Sequence, residues 1–241
     1  MKENGTFDII LLIARPAAGK SEIIQHLRLT SRQHRFQQYH INEFEEIDDF
    51  PMLWTWFEED DILSNMGYPR LHSDEQGYFL GDHLWHVLIE RINLEYAKKL
   101  RDQPDYHQHK TTIIEFARGT AHGGFKGAFQ HLSRQIVERM AILYINVSWE
   151  ESLRKNRARF NPNRPDSILE HGLSDEKMEA LYRNVDWEKI AVKKDFIKIK
   201  GIHVPYVVFE NEDDVTTKGG KELSKRLEKS FGDLWGLYVN R

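Results

Sequence analysis

The sequence predicts an α/β fold: a doubly wound, mainly parallel sheet of about five strands, with helices on both faces. Two patterns predict it. Short, almost wholly apolar runs recur at 7–13, 111–116, 141–148 and 204–211, and strands apolar on both sides belong to sheets that are covered on both sides. Between them lie stretches with an apolar residue at every third or fourth position, the period of the helices that parallel strands need as crossovers. A third observation concerns the end of the first run. "FDIILLI" at 7–13 passes directly into "ARPAAGKSEII" at 14–24, a turn of small residues carrying one lysine and one serine.

In chain order, the strand at 7–13 precedes a helix over about 20–29, where Ile23, Ile24 and Leu27 make one apolar face. A second strand is expected near 39–47, where the pattern is irregular. Residues 77–100 keep helical spacing through Leu80, Leu84, Val87, Leu88, Ile92 and Tyr96. "TTIIEF" at 111–116 reads as a short buried strand. Phe125, Phe129, Leu132, Ile136 and Met140 mark the next helix, and "AILYINVS" at 141–148 the next strand. Helical segments follow at 149–159 and 174–190, then a last strand, "VPYVVFEN", at 204–211 and a closing helix near 218–231. Crossovers between the parallel strands should be right-handed. With two prolines and a glycine, 159–174 reads as a loop or lid inside a single domain spanning 1–241.

The 241 residues are 40% hydrophobic and 30% charged, the balance of a soluble globular chain. No apolar run approaches the roughly 20 residues of a membrane helix, and the opening "MKENGTFD" carries no secretory h-region. Without cysteine there is no disulfide framework, thiolate zinc site or thiol catalysis. The expected location is cytoplasmic. A net charge of −4 and a pI near 6.3 argue against a dedicated nucleic-acid binder. The charge is unevenly spread. No Lys or Arg falls between Phe36 and Pro69, a window holding Glu43, Glu45, Glu46, Asp48, Asp49, Glu58, Glu59, Asp60 and Asp61. From Ser152 to Pro165 the balance reverses, with Arg154, Lys155, Arg157, Arg159 and Arg164 and no acid.

The turn after the first strand fits a phosphate-binding pattern, G-x-x-x-x-G-K-[ST], with Ala14 in place of the first glycine and Gly19, Lys20 and Ser21 closing it. Small residues at Ala14, Pro16, Ala17, Ala18 and Gly19 let backbone N–H groups approach phosphate oxygens, and the new helix offers its positive end. Lys20 would reach the β- and γ-phosphates, and Ser21 would give its hydroxyl to Mg²⁺. In this setting "ARPAAGKSE", Ala14 to Glu22 with Arg15 included, resembles the loop of the P-loop NTPases, whose wider pattern admits Ala at the first position. It is most similar to the loop of small-molecule and nucleotide kinases, although Ala17 stands where those commonly have glycine. The resemblance implies ATP and Mg²⁺ as the bound species.

Neither a guanine-reading Asn-Lys-x-Asp nor a transporter Leu-Ser-Gly-Gly-Gln occurs in the chain. "YINVSWEESLRKNRAR" is similar to the strand-to-lid run of nucleoside and nucleotide kinases, where arginines close over the transferring phosphoryl group; Arg157 and Arg159 are the candidates for that role here. On a helix, Arg154 and Arg157 share one face, and Lys155 and Arg159 another. Glu115 ends an apolar strand and Arg118 follows, so both should project at the carboxyl edge of the sheet, where ligands of open α/β sheets sit. The pair is similar to the acid–arginine pair of deoxynucleoside kinases, with two residues inserted. Glu115 is then expected to hold Mg²⁺ through water or to accept the substrate's proton, and Arg118 to bind the acceptor or a phosphate. Asp48 and Asp49 follow the second strand, where related kinases place the acid that takes the acceptor's proton; Asp49 is preferred over Asp48.

The aromatics of "FPMLWTWFEEDD", namely Phe50, Trp54, Trp56 and Phe57, either line an acceptor pocket or pack on the core. The pairs His83/His86 and His107/His109 lack a third ligand at metal-binding spacing, and Mg²⁺ prefers oxygen. The resemblance implies a kinase that moves the γ-phosphoryl group of ATP to a small acceptor, with an acceptor region near 40–75 and a lid near 150–175. A nucleoside or nucleotide is the first expectation for that acceptor, a sugar or other metabolite the second. The alternative is a nucleotide-binding ATPase or regulator without a small-molecule acceptor.

Overall fold

Strands β1 (Ile9–Ala14), β2 (Glu43–Asp48), β3 (Lys110–Phe116), β4 (Met140–Asn146), β5 (Phe196–Ile199) and β6 (Ile202–Glu210) form one sheet. Their order is β2-β3-β1-β4-β6-β5. The computed structural model describes residues 5–159, 163 and 172–241. All neighbours pair in parallel except β5 and β6. The longer helices are α1 (Lys20–Leu29), α2 (Phe50–Asn65), α3 (His83–Asp102), α4 (Gly124–His131), α5 (Trp149–Arg159), α6 (Asp175–Tyr182) and α7 (Gly220–Val239).

The pleat of the strands divides the core in two. Ile9, Leu11 and Ile13 of β1 join Ile114, Phe116, Ile142 and Tyr144 on one face, covered by Ile89, Ile92 and Tyr96 of α3 and by Phe125 and Phe129 of α4. Ile10, Leu12 and Ala14 join Ile113, Leu143 and Ile145 on the other, covered by Ile23, Ile24 and Leu27 of α1 and by Leu223, Leu227 and Phe231 of α7. Every residue of β1 is buried, as a central strand with a helical layer on each side must be. The chain adds β2 and β3 on one side of β1 and β4 and β6 on the other. The carboxyl end of β1 is therefore where the order reverses, the position at which a crevice opens in such sheets. No helix among the described residues is long and apolar enough to cross a membrane.

Six strands stand where about five were expected. The extra one, β5, returns on β6 through Lys200 and Gly201, both at positive φ (50° and 85°), with Ile199 paired to Ile202. Positive φ at both central residues is the hairpin turn whose twist matches that of the strands. Three helical expectations also change. The pattern at 77–100 becomes a helix only from His83, because Ser73 and Phe79 form a β-bridge ahead of it. The 125–140 pattern breaks at Leu132, and the Ser133 hydroxyl then caps a short turn by accepting from the Ile136 amide. The 174–190 pattern breaks after Tyr182. Asp186 in that gap accepts from the Phe125 and Lys126 amides at 2.8 and 3.0 Å, holding the start of α4.

Helix α2 has no counterpart in the expected elements. Asp60 is its one buried residue, so it shows no apolar stripe for a period to reveal. Asp60 is fully buried and binds the following loop. Its carboxylate accepts from the Leu71, His72 and Ser73 amides at 2.7, 3.1 and 2.6 Å, and from the Ser73 hydroxyl at 2.7 Å. Burial pushes the carboxyl up, but these hydrogen bonds outweigh it and hold it at about 2. A depressed carboxyl stabilises the fold above its unfolded value of 3.8, and the contribution is lost as pH falls toward about 2. Hydrogen exchange at Leu71, His72 and Ser73 should therefore gain relative to the core amides as pH drops from 4 toward 2. In Asp60→Ala these amides should exchange fast already at pH 6, with β1 still protected.

Candidate functional site

The turn between β1 and α1 is held from outside. Ser152 of α5 donates its hydroxyl to the Pro16 carbonyl at 2.8 Å, and the buried Asn211 amide donates to the Ala18 carbonyl at 2.8 Å. Ala17 takes a left-handed backbone (φ 55°), which costs a non-glycine residue roughly 1–2 kcal/mol. Gly19 sits at φ 114° and ψ 12°. A Cβ there would lie 2.5 Å from Thr216 Oγ1 and 2.9 Å from Asn211 Nδ2, so both conformation and space require glycine. With the carbonyls turned to these partners, the amides of Ala17, Ala18 and Gly19 find no acceptor among the described residues. No side chain caps α1. Lys20 makes no side-chain hydrogen bond or ion pair among the described residues, and the Ser21 hydroxyl is exposed beside it. Open amides, a helix N-terminus and a lysine converge on one point, an arrangement that favours an anion.

Two further members of the expected turn act differently. Arg15 bends away, donating to the Tyr182 and Arg183 carbonyls at 2.6 and 2.9 Å, so only its backbone belongs to the turn. Glu22 faces Lys155 at 3.6 Å.

Strand register sets the acids. Asp48 at the end of β2 pairs with Glu115 near the end of β3. Glu115 alternates with Ile114 and Phe116 and so shares the face of Ile113, which α1 covers. Asp48 alternates with Ile47 in the same sense. Two carboxylates thus stand side by side on the Lys20 face. Burial, then the charges of Glu115 and Asp49, push Asp48 up to about 8, although the Phe50 amide donates to it at 3.0 Å. Burial also raises Glu115, against the pull of Lys20. Both carboxyls are therefore held more readily protonated than a free carboxyl.

Asp49 belongs to another partnership. Its Oδ2 lies 2.6 Å from Arg118 Nη1, and both side chains are buried. Arg118 also donates to the Ala117 and Trp85 carbonyls and lies between the rings of Trp85 and Phe116, 5.2 and 5.3 Å from their centroids. The acid preferred from sequence is therefore the ion-pair partner of Arg118, and Asp48 is the carboxyl beside Glu115.

The basic run of α5 also separates. Arg154 pairs with Glu151 and Asp214 at 2.7 and 2.9 Å. Arg157 pairs with Asp175 at 2.5 Å, with both side chains more than half exposed, and does not face the turn. Lys155 is buried and donates to Asp214 at 2.6 Å and Thr216 at 3.1 Å. Arg159 is the one described member of the run that lines the space shared by Lys20, Asp48 and Glu115. Of the lid expected at 150–175, residues 160–162 and 164–171, including Arg164, lie outside the described residues. The histidine pairs disperse: His86 stacks on His131, His107 meets Tyr96, and His109 faces Asp105.

Three connected spaces result. A cleft of about 750 Å³ runs from Lys20 and Ser21 past Arg159 to Thr217, Gly219 and Leu223. A narrow gap of about 110 Å³ lies between Lys20, Arg159, Asp48, Glu115 and Arg118. Beyond it a cavity of about 580 Å³ opens among Phe50, Trp54, Phe57 and Trp85. Three of the four aromatics of "FPMLWTWFEEDD" line that cavity, while Trp56 stacks on His72 at 4.9 Å. Sequence reading missed Asn211, Thr216, Trp85 and Tyr182 as site residues. For Asn211 a signal existed, since it follows an apolar strand at the sheet's carboxyl edge. The others come from folding back and have no local mark. No family model matches the chain, and no curated protein sequence matches it.

A raised carboxyl is a stability penalty that grows once the unfolded chain's carboxyl ionises and levels off when the folded one does. Asp48 leaves the fold unpenalised below its unfolded value of 3.8 and destabilises it increasingly as pH rises through about 8. In chelator-containing buffer, Asp48→Asn should match the wild type in urea unfolding near pH 4. By pH 9 it should be the more stable by at least about 1 kcal/mol.

Proposed function

We propose that this protein is a Mg²⁺-dependent phosphotransferase of the P-loop kinase type, moving the γ-phosphoryl group of ATP to the hydroxyl of a small acceptor. One juxtaposition carries the reading: an anion-favouring turn with Lys20, at the carboxyl end of the central strand, faces two adjacent carboxyls across a narrow gap. The large cleft on one side of the gap accommodates a nucleotide, and the aromatic cavity on the other an acceptor.

In this reading the Ala17–Gly19 amides and Lys20 hold the β- and γ-phosphates. No group of three or more His, Asp or Glu side chains among the described residues could hold a metal alone, which suits an ion whose shell is completed by substrate phosphates and water. Ser21 and Glu115 would be the protein's oxygen donors to Mg²⁺, which supplies charge neutralisation at the phosphates. The acceptor oxygen attacks the γ-phosphorus, the bond to the β,γ-bridging oxygen breaks, and the hydroxyl proton passes to Asp48 in its ionised form, which the charges of Lys20 and Mg²⁺ at the gap would favour once ATP is bound. ADP leaves with the bridging oxygen and its electron pair. Arg159, at the same gap, stabilises the charge on the transferring group. Arg118 and Asp49 neutralise each other and shape the acceptor side.

The test is ATP turnover across a panel of alcohols. One acceptor should stimulate it strongly, and Lys20→Ala should reduce that rate on the order of 10²-fold or more. Asp48→Asn should lose about 10²–10⁴-fold in transfer with ATP affinity nearly unchanged. Undiminished transfer by Lys20→Ala defeats the proposal, and turnover indifferent to every alcohol favours an ATPase or regulator.

A further inference from the structure

The aromatic cavity shares Phe50, Leu53, Trp85 and Tyr182 with the gap in front of Asp48 and Glu115, so a guest in it can present a group to those carboxyls. Its interior is built of rings at steep angles to one another. Phe79 meets Trp85 at 4.7 Å and 62°, and Phe57 meets Phe79 at 5.7 Å and 49°. Trp85 is itself fixed, stacked on His122 at 4.0 Å and 11°. Burial, and then the Arg118 charge, lower His122 to about 3, so this backing ring is neutral. Rigid, tilted rings offer flat faces and edges to a planar guest at little cost in ordering.

The charges at this cavity point the same way. Glu58, Asp61, Glu75 and Asp82 line it, against Arg70 and Lys177 as the only cations among the described residues of its lining. Arg70 is committed, donating to Asp61 at 2.7 Å and to the Ser73 carbonyl and hydroxyl at 2.9 and 3.1 Å. At the junction Arg118 is committed to Asp49 and to two carbonyls. Lys177 stands over the Tyr78 ring at 5.4 Å. A bound phosphate ester needs an open guanidinium fork or clustered cations. Neither Arg70 nor Arg118 provides one, and uncompensated carboxylates repel a dianion.

Building on the phosphotransferase reading, we infer that this cavity takes the acceptor, and that the acceptor is an unphosphorylated alcohol with a flat heteroaromatic body, uncharged or cationic. The carboxylate rim suits hydrogen-bond donors or a positive charge on the ring, and the hydroxyl faces Asp48. Nucleotides and sugar phosphates fail on charge, and simple sugars or polyols lack the plane that the walls fit.

Isothermal titration of the full chain without ATP tests this. Adenosine, cytidine, pyridoxine and thiamine are each compared with their own phosphate monoester, and ribose and glycerol serve as non-aromatic alcohols. At least one aromatic alcohol should bind about tenfold or more tightly than its ester, with ribose and glycerol far weaker. Trp54→Ala should weaken that binding on the order of tenfold while leaving ATP affinity intact. The double variant Glu75→Gln/Asp82→Asn should narrow the gap between alcohol and ester. An ester binding as tightly as its alcohol, ribose or glycerol binding equally well, or no binding by any of the aromatic alcohols overturns the inference. An alcohol that binds through Trp54 yet is never phosphorylated sinks the phosphotransferase reading and leaves the aromatic site standing. Phosphorylation of an alcohol unaffected by Trp54→Ala removes only the cavity's role.

Discussion

The geometry of the carboxyl edge depends on the contact between Gly19 and the loop after β6. Asn211 is fully buried and spends its side-chain amide on two acceptors, the Ala18 carbonyl and the Thr216 hydroxyl, each at 2.8 Å, while its carbonyl receives the Thr216 amide. Thr216 in turn receives Lys155 from α5. A net hydrogen bond contributes only about 1 kcal/mol, but leaving such a buried group unmade costs about 1–3 kcal/mol, so the set holds together or fails together. Removing Asp214 would be costlier still, since it would leave the buried Lys155 charge without its closest acid. The turn that bears Lys20 and the helix that bears Arg159 are thereby fixed to one another by a third element that contacts both.

That rigidity is what allows opposite charges to be crowded at the gap. Asp48, Asp49 and Glu115 come from the ends of two adjacent strands, and Lys20, Arg118 and Arg159 from three separate segments. Asp49 and Arg118 cancel at 2.6 Å. The remaining carboxyls are both raised, because burial, and for Asp48 the charges of Glu115 and Asp49, outweigh the pull of Lys20. A protein selected for stability alone would place apolar side chains at these strand ends, since burying carboxyls together is a net penalty. Perturbed carboxyls facing a lysine that has no partner among the described residues are what the proposed phosphoryl transfer would use, at a cost to the fold.

How much of this could be read from the sequence follows from how local each feature is. The fully buried strands β1, β3 and β4 declare themselves in continuous apolar runs, and Gly19-Lys20-Ser21 after such a run is a local pattern with a local cause. β5 was missed because its turn, Lys200-Gly201, is recognised by backbone sign rather than by hydrophobicity. α2 was missed because only one of its residues, Asp60, is buried, so it has no apolar stripe. Charge runs misled in a specific way: Arg157, Lys155 and Arg159 lie within one and a half helical turns yet face solvent, the loop after β6 and the gap respectively. Only packing against the loop after β6 decides which faces where. Asp48 and Asp49 are adjacent in sequence, but Asp48 is the last residue of β2 and takes the α1 face, while Asp49 already has helical backbone at the start of α2 and reaches Arg118.

The two halves of the cleft are built on different principles, and their evolution is separable for that reason. The Lys20 side is backbone, small residues and a buried polar clamp, where almost any substitution disturbs Gly19 or its neighbours. The aromatic side rests on α2 and the loop up to Ser73, attached through one buried carboxylate, Asp60, with its hydrogen bonds to three amides and a hydroxyl. Rings on the cavity side of α2, such as Trp54 and Phe57, are only partly buried, so exchanging them alters the cavity wall without opening the sheet. Exposed positions away from caps and core typically change stability by less than about 0.5 kcal/mol. In a fold arranged in this way the cavity wall can change while the anion-favouring turn stays as it is, because the constraints on the turn are local to Gly19 and its neighbours and those on the cavity are not.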